Sequence, residues 1–369
     1  MPSPPLVTVL MSVFNEPAFL PDAIQSIVGQ TFTDFEFLIV DDGSTNVTSD
    51  LLAGIRDPRV RIVRNQTNLG LTRSLKRGVE LSAGRYIARL DADDFAFRDR
   101  LEKQVEFMEG HKEVVLLGGA CTLIDEQGRR IGLRNCPESD LEIRWTGLLT
   151  SPFLHPAAMF RRQVLVENNL SYDPAFGTAQ DYDLWMRMLK HGQGANLSHP
   201  LIRYRIRSGA TRLRREEQLN NTFQIAARTI AEELPGMKVD PEQIRLVWTS
   251  FSCADRAGDG GDQWERAARF YRDLFTQFAT KYQSDKTNSA LTSLRRRQAA
   301  EILRSMLRLK GPRGWRPLTV QLLRQDPWLP IWSGLKLAAA PVRKFSRSFR
   351  GFAHNAGRLR DSSPRSLLR

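Results

Sequence analysis

The sequence predicts an α/β fold with a parallel sheet, and three observations carry that prediction. Short apolar runs rich in β-branched and aromatic residues alternate with segments whose apolar residues recur at helical spacing. Strand, helix and strand follow one another in the rhythm of parallel strands joined by helical crossovers. Two groups of acids stand directly after two of the apolar runs, where open α/β sheets bind their ligands.

In chain order, LVTVLMSVF (6–14) reads as the first strand, and LPDAIQSIVGQT (20–31) as a helix with Leu20, Ala23, Ile24, Ile27 and Val28 on one face. FEFLIV (35–40) is a second strand and RVRIV (59–63) a third. LTRSLKRGVELSAG (71–84) is a helix closed by Gly84, and RYIARL (85–90) a fourth strand. The first and second strands come close to the unbroken apolar runs of parallel strands buried on both faces. A helix from Arg98 to Glu109 follows, then a strand and hairpin over 114–133 turning near EQGR. AAMFRR (157–162) is a strand leading into a helix at 162–167, DYDLWMRMLKHG (181–192) a helix ending at Gly192, and PLIRYRI (200–206) closes the module. The expected organisation is a catalytic domain over 1–215, a helical region over 216–310 and a basic amphipathic tail over 311–369.

With 369 residues, 41% hydrophobic and 26% charged, the chain has the composition of a globular protein with a sizeable core. Cys121, Cys136 and Cys253 show no metal-ligand spacing or disulfide framework, which fits reduced thiols in the cytoplasm. The N-terminus lacks the basic flank of a signal peptide, and no apolar stretch approaches the ~18 residues of a membrane span. The net charge of +13 is unevenly placed: residues 294–369 hold 18 Lys and Arg against 3 Asp and Glu, whereas residues 1–215 hold 27 against 26. The basic character therefore belongs to the C-terminal segment, remote from the acidic groups.

Those groups are LIVDDGST, with Asp41 and Asp42, and IARLDADD, with Asp91, Asp93 and Asp94. Each alone has a structural reading as a turn or helix cap. Together at two strand ends they point to one crevice, where crowded carboxylates repel unless a cation lies among them. Mg²⁺ or Mn²⁺, which uses one or two protein carboxylates and completes its shell with water and phosphate, suits such a site and implies a nucleotide diphosphate.

The chain resembles the family 2 glycosyltransferases of the GT-A fold, a Rossmann-like nucleotide-sugar-binding sheet with helices on both faces. The matching segments, in order, are VTVLMSVFNEPAFLPDAIQSIVGQTFTDFEFLIVDDGST, NLGLTRSLKRGVELSAGRYIARLDADD, HPAAMFRR and QDYDLWMRM, over roughly residues 6–211. The resemblance implies a nucleotide-sugar donor, usually a UDP-sugar, and inverting transfer of a hexosyl or N-acetylhexosaminyl group to a saccharide or lipid-linked acceptor in surface polysaccharide assembly. It makes Asp42, with Asp41 beside it, the acid that reads the base, and places Asn15 and Glu16 in the loop beside it. Asp91 and Asp93 match the Asp-X-Asp motif, the first near ribose and metal, the second on the metal. Asp181 falls where the family has its base, and His155 on the acceptor side.

The chain departs from the pattern twice: Gln180 precedes Asp181 where an acid is usual, and Arg207 stands where YRxH has histidine. An arginine there holds diphosphate oxygen by charge-assisted hydrogen bonds but ligates no metal. Asp183 suits a helix N-terminal acid better than a base. In the tail, Val342, Phe345, Phe349 and Phe352 recur at helical intervals among Arg343, Lys344, Arg347 and Arg350, and Trp315, Trp328 and Trp332 lie nearby. Such a segment suits an anionic membrane surface, here the inner face, or a packed helix with a solvated face. Alternatives are a nucleic-acid-binding protein acting through the tail, disfavoured by the absence of a recognised module, and a nucleotidyltransferase, disfavoured by the absence of a Gly-rich loop after the first strand.

Overall fold

Every residue of Val7–Val13 (β1) is buried, as the unbroken apolar run requires. Its side chains alternate between two faces. Val7, Val9, Met11 and Val13 share one core with Leu20, Ala23 and Ile27 of the helix Leu20–Val28 (α1). On the opposite face Leu10 lies against Gly78, where a Cβ would collide with its side chain. In this computed structural model, which describes residues 4–207, 212–252 and 261–308, helices therefore cover both faces of the sheet.

Phe35–Asp41 (β2) runs parallel to β1, in register from Val7 opposite Phe35 to Val13 opposite Asp41. Thr48–Ala53 (α2) leads to Val60–Arg64 (β3), parallel to β2. Leu71–Leu81 (α3) crosses back to Tyr86–Arg89 (β4), parallel to β1. Here the structure differs from the sequence reading: α3 ends at Leu81, and Gly84 is no helix stop. It is the point where the backbone passes so close to β1 that a Cβ would stand 2.6 Å from the Val7 carbonyl carbon.

Past β4 the sheet becomes mixed. Phe95–Ala96 (β5) and Arg100–Gly110 (α4) precede the hairpin Val114–Ile124 (β6) and Arg130–Arg134 (β7). Asp140–Gly147 (α5) and a 3₁₀ turn, His155–Ala157, lead to Met159–Arg161 (β8). Arg162–Glu167 (α6), Gln180–Met188 (α7) and Gln193–Arg205 (β9) follow. β8 is antiparallel to both β4 and β6, and β9 runs parallel to β6. The order is β3-β2-β1-β4-β8-β6-β9-β5, with β7 beside β6.

The chain divides into two compact units, Met1–Pro241 and Glu242–Arg369. Arg212–Glu233 (α8) belongs to the first: Arg228 pairs with Asp183 at 2.6 Å and Asn221 donates to the Thr178 side chain at 2.9 Å. The first unit thus extends beyond residue 215, where the sequence reading ends the catalytic domain. In the second unit Pro241–Ser252 (α9), Gly261–Tyr282 (α10) and Asn288–Arg308 (α11) confirm the helical expectation. Trp264, Ala267, Ala268, Tyr271, Phe275 and Phe278 form the buried stripe of α10, and Tyr271 donates to Glu301 at 2.8 Å. Among the described residues no helix is long and apolar enough to cross a membrane. The tail over 311–369 lies outside the described residues.

Candidate active site

The carboxyl ends of β1, β2 and β3 meet in three interlocked loops. Asn15, with φ of 51°, donates its N–H to the Ser44 hydroxyl at 3.1 Å and accepts from the Thr45 N–H at 2.9 Å. Asparagine tolerates this left-handed conformation. Gly43, with φ of +74°, passes so near the next loop that a Cβ would stand 2.7 Å from the Thr67 carbonyl carbon. Asp41 and Asp42 are both buried. Asp41 accepts from the Ser44 N–H at 2.9 Å and faces Arg64 at 3.6 Å. Asp42 accepts from the Asn65 amide at 2.7 Å and from the N–H groups of Leu69 and Gly70 at 2.8 and 2.9 Å. Its carboxylate is thus the clasp of the 65–70 loop. Three apolar side chains on these loops remain exposed: Phe14, Val47 and Leu69.

The second acidic group begins two residues past the end of β4, at Asp91. Arg89, fully buried, pairs with Asp91 Oδ1 and donates its Nε–H to His155 Nε2 at 3.2 Å. Asp93 is partly exposed and lies 3.5 Å from Arg207, which also pairs with Glu16. Asp94, buried, accepts from the Arg205 N–H at 2.8 Å, while Arg205 Nε donates to the Asp93 carbonyl at 2.9 Å. Both guanidiniums lie over the Phe19 ring, at 4.0 and 5.5 Å from its centroid. Glu16, Asp93 and Arg207 are therefore gathered in one place, with Asp91 close enough to act on the charge of Asp93. Burial, with Asp91 beside it, pushes Asp93 up to about 6 against the opposing pull of Arg207. Burial, with the Asp91 and Asp93 carboxylates beside it, holds Asp94 well above the usual carboxylate range.

Asp181 lies in the first turn of α7, after Ala179 with φ of 58°. Burial raises its pKa to about 6, opposed by its own N–H and that of Tyr182 and reinforced by Asp91. Asp183, two residues on, is fully buried between Arg187 and Arg228, a structural acid as its helical position suggests. His155, the acceptor-side candidate, has Nε2 between Arg89 and the Tyr172 hydroxyl, the latter at 2.9 Å. Burial and the Arg89 charge hold it well below the usual histidine range. It is a neutral link within this cluster.

Among the described residues, no three His, Cys, Asp or Glu side chains are grouped to hold a metal. Asp93 and Asp91 fit the other arrangement, one or two carboxylates sharing a cation with phosphate oxygens, because their mutual repulsion is what such an ion relieves.

Residues 8–168 match the family model described as glycosyl transferase family 2. An uncharacterised glycosyltransferase of Methanocaldococcus jannaschii is 35% identical over 209 residues, 55% of this chain and 71% of that protein. The putative glycosyltransferase EpsE of Bacillus subtilis is 34% identical over 58% of this chain and 78% of its own length. The chain belongs to glycosyltransferase family 2. The amylovoran biosynthesis glycosyltransferase AmsE of Erwinia amylovora is a further relative, 32% identical over 57% of this chain and 80% of its own. S. aureus TarS 1–349 in complex with UDP-GlcNAc has a TM-score of 0.52 at 16% identity, covering 82% of this glycosyltransferase and 87% of that chain. That likeness shows the fold, GT-A.

Four side chains at or beside the candidate site escape the sequence reading. Arg89 carried a signal, a charge inside an otherwise apolar strand. Phe14, exposed at the end of β1, carried a weaker one. Arg205 and Tyr172 reach the site through tertiary packing alone.

Proposed function

We propose that this glycosyltransferase transfers a hexosyl or N-acetylhexosaminyl group from a UDP-sugar, with inversion, to a saccharide or lipid-linked acceptor in polysaccharide assembly. The observation that supports this reading is the chain of contacts running from Asp91 through Arg89, His155 and Tyr172 to Trp185 of α7, the helix whose first turn carries Asp181. The acceptor oxygen attacks the anomeric carbon opposite the diphosphate. Asp181 takes the hydroxyl proton, and the bond to the diphosphate breaks with its electron pair on the leaving oxygen. A Mn²⁺ or Mg²⁺ ion held by Asp93 and Asp91 would supply positive charge against the leaving group. Arg207 holds a diphosphate oxygen, the loops around Asn15, Asp41 and Asp42 frame the nucleotide, and Phe14 offers a flat apolar face to the base. The relatedness to AmsE, named for amylovoran biosynthesis, supports polysaccharide assembly, and the fold shared with UDP-GlcNAc-bound TarS is compatible with a UDP-sugar.

Asp181→Asn tests the reading. Transfer should fall by roughly 10²-fold or more, the scale of a lost general base, while UDP affinity stays near that of the wild type. Near-full turnover would place the base elsewhere.

A further inference from the structure

A fully buried arginine needs every part of its guanidinium occupied. Arg89 meets that need with groups from both halves of the site. One terminal nitrogen pairs with Asp91, the other donates to the Leu90 carbonyl, and Nε donates to His155 Nε2. Its backbone is fixed as well: its N–H donates to the Ala158 carbonyl at 2.8 Å, and its carbonyl accepts from Arg100 at 2.7 Å. The planar fork therefore sets the place of Asp91 relative to His155.

A guanidinium N–H only donates, so His155 Nε2 must present its lone pair, and the imidazole proton sits on Nδ1. The Tyr172 hydroxyl lies 2.9 Å from the same nitrogen and shares that one lone pair with the guanidinium. Tyr172 is buried edge-on against Trp185 of α7, the helix whose first turn carries Asp181. The charges facing this cluster are Arg89, Asp91 and Asp181.

We propose that Arg89 is a positioning residue for sugar transfer: one guanidinium holds the acidic motif on one side and, through His155 and Tyr172, the helix bearing Asp181 on the other. This rests on the reading of Asp181 as base. Arg89 touches no reacting atom. It keeps the distance between leaving group and base fixed while donor and acceptor exchange.

Two measurements on the full chain test it. In ¹⁵N-histidine spectra, with the His155 signal identified by its loss in His155→Gln, Nε2 should be unprotonated and Nδ1 protonated from about pH 5 to 8. A protonated Nε2 in the wild type overturns the connectivity. In kinetics, Arg89→Lys keeps a charge but loses the fork. Its kcat should fall about 30-fold or more, as misplaced reacting groups require, with the donor KM within about 3-fold and the acid limb of the pH profile displaced. Wild-type kcat and pH profile would overturn the proposal even if the melting temperature fell. If Arg89→Lys does not fold, Tyr172→Phe, which removes one hydroxyl, decides: about 10-fold lower kcat at unchanged KM supports the proposal, and wild-type kcat overturns it. Full turnover in Asp181→Asn would refute the base assignment while the histidine spectrum still reports on the Arg89 contact.

Discussion

As the proposed base, Asp181 must be ionised to accept a proton, and its surroundings raise its pKa to about 6. The kcat/KM of the enzyme should therefore climb as pH rises through about 6 and level off above it. A profile flat down to pH 4.5 would exclude this carboxylate as base. Stability has the opposite sign. The folded state binds this proton more tightly than the unfolded chain, whose carboxyl stays near 3.8, so the contribution to stability is complete below about 4 and lost as pH passes through 6. Asp42 offers a second test. Because it clasps Leu69 and Gly70, Asp42→Ala should release the loop and weaken UDP binding by about tenfold or more, measured by calorimetry. The acids were legible in the sequence because two such groups after two strands have few structural explanations. The hydrogen-bond partners of His155 and Asp42 were not, because a partner distant in sequence leaves no local trace.

At the scale of elements, most strands and helices were readable, including the short β8 and α6, whereas β5 was not. The stripe of α1 and the runs of β1 and β2 each carry many apolar positions in one register. The two-residue β5 carries no period at all. α5 did have a written start, since Ser139 and Glu142 form a capping box. Gly84 shows how one residue type serves two purposes, as its smallness admits the neighbouring β1 backbone. Gly84→Ala should destabilise the first unit by about 2 kcal/mol or more, because the obstacle is main chain and cannot rotate away. Asp183→Ala should cost about 2–3 kcal/mol, leaving Arg187 and Arg228 without their shared carboxylate but still within reach of water. Thermal melting measures both.

For the whole molecule, the charge distribution and the acid pocket make separate predictions. UDP should bind more tightly with Mn²⁺ than in EDTA, and equal affinity in calorimetry would remove the metal from Asp91 and Asp93. The full chain should sediment with anionic but not neutral vesicles at low salt. Arg343, Lys344, Arg347 and Arg350 changed together to glutamine should abolish this, each basic residue being worth about 1 kcal/mol at such a surface. Preference for nucleic acid over vesicles would favour the other reading of the tail. The pairing of Glu16 with Arg207 spans 191 positions of the sequence. During synthesis the first loop and its acids leave the ribosome long before the arginine that joins them, and a contact so distant along the chain is slow to form. Nascent fragments ending before Arg207 hold these loops without the arginine that pairs with Glu16, so under the proposed function donor binding arrives late, with the last strand of the sheet.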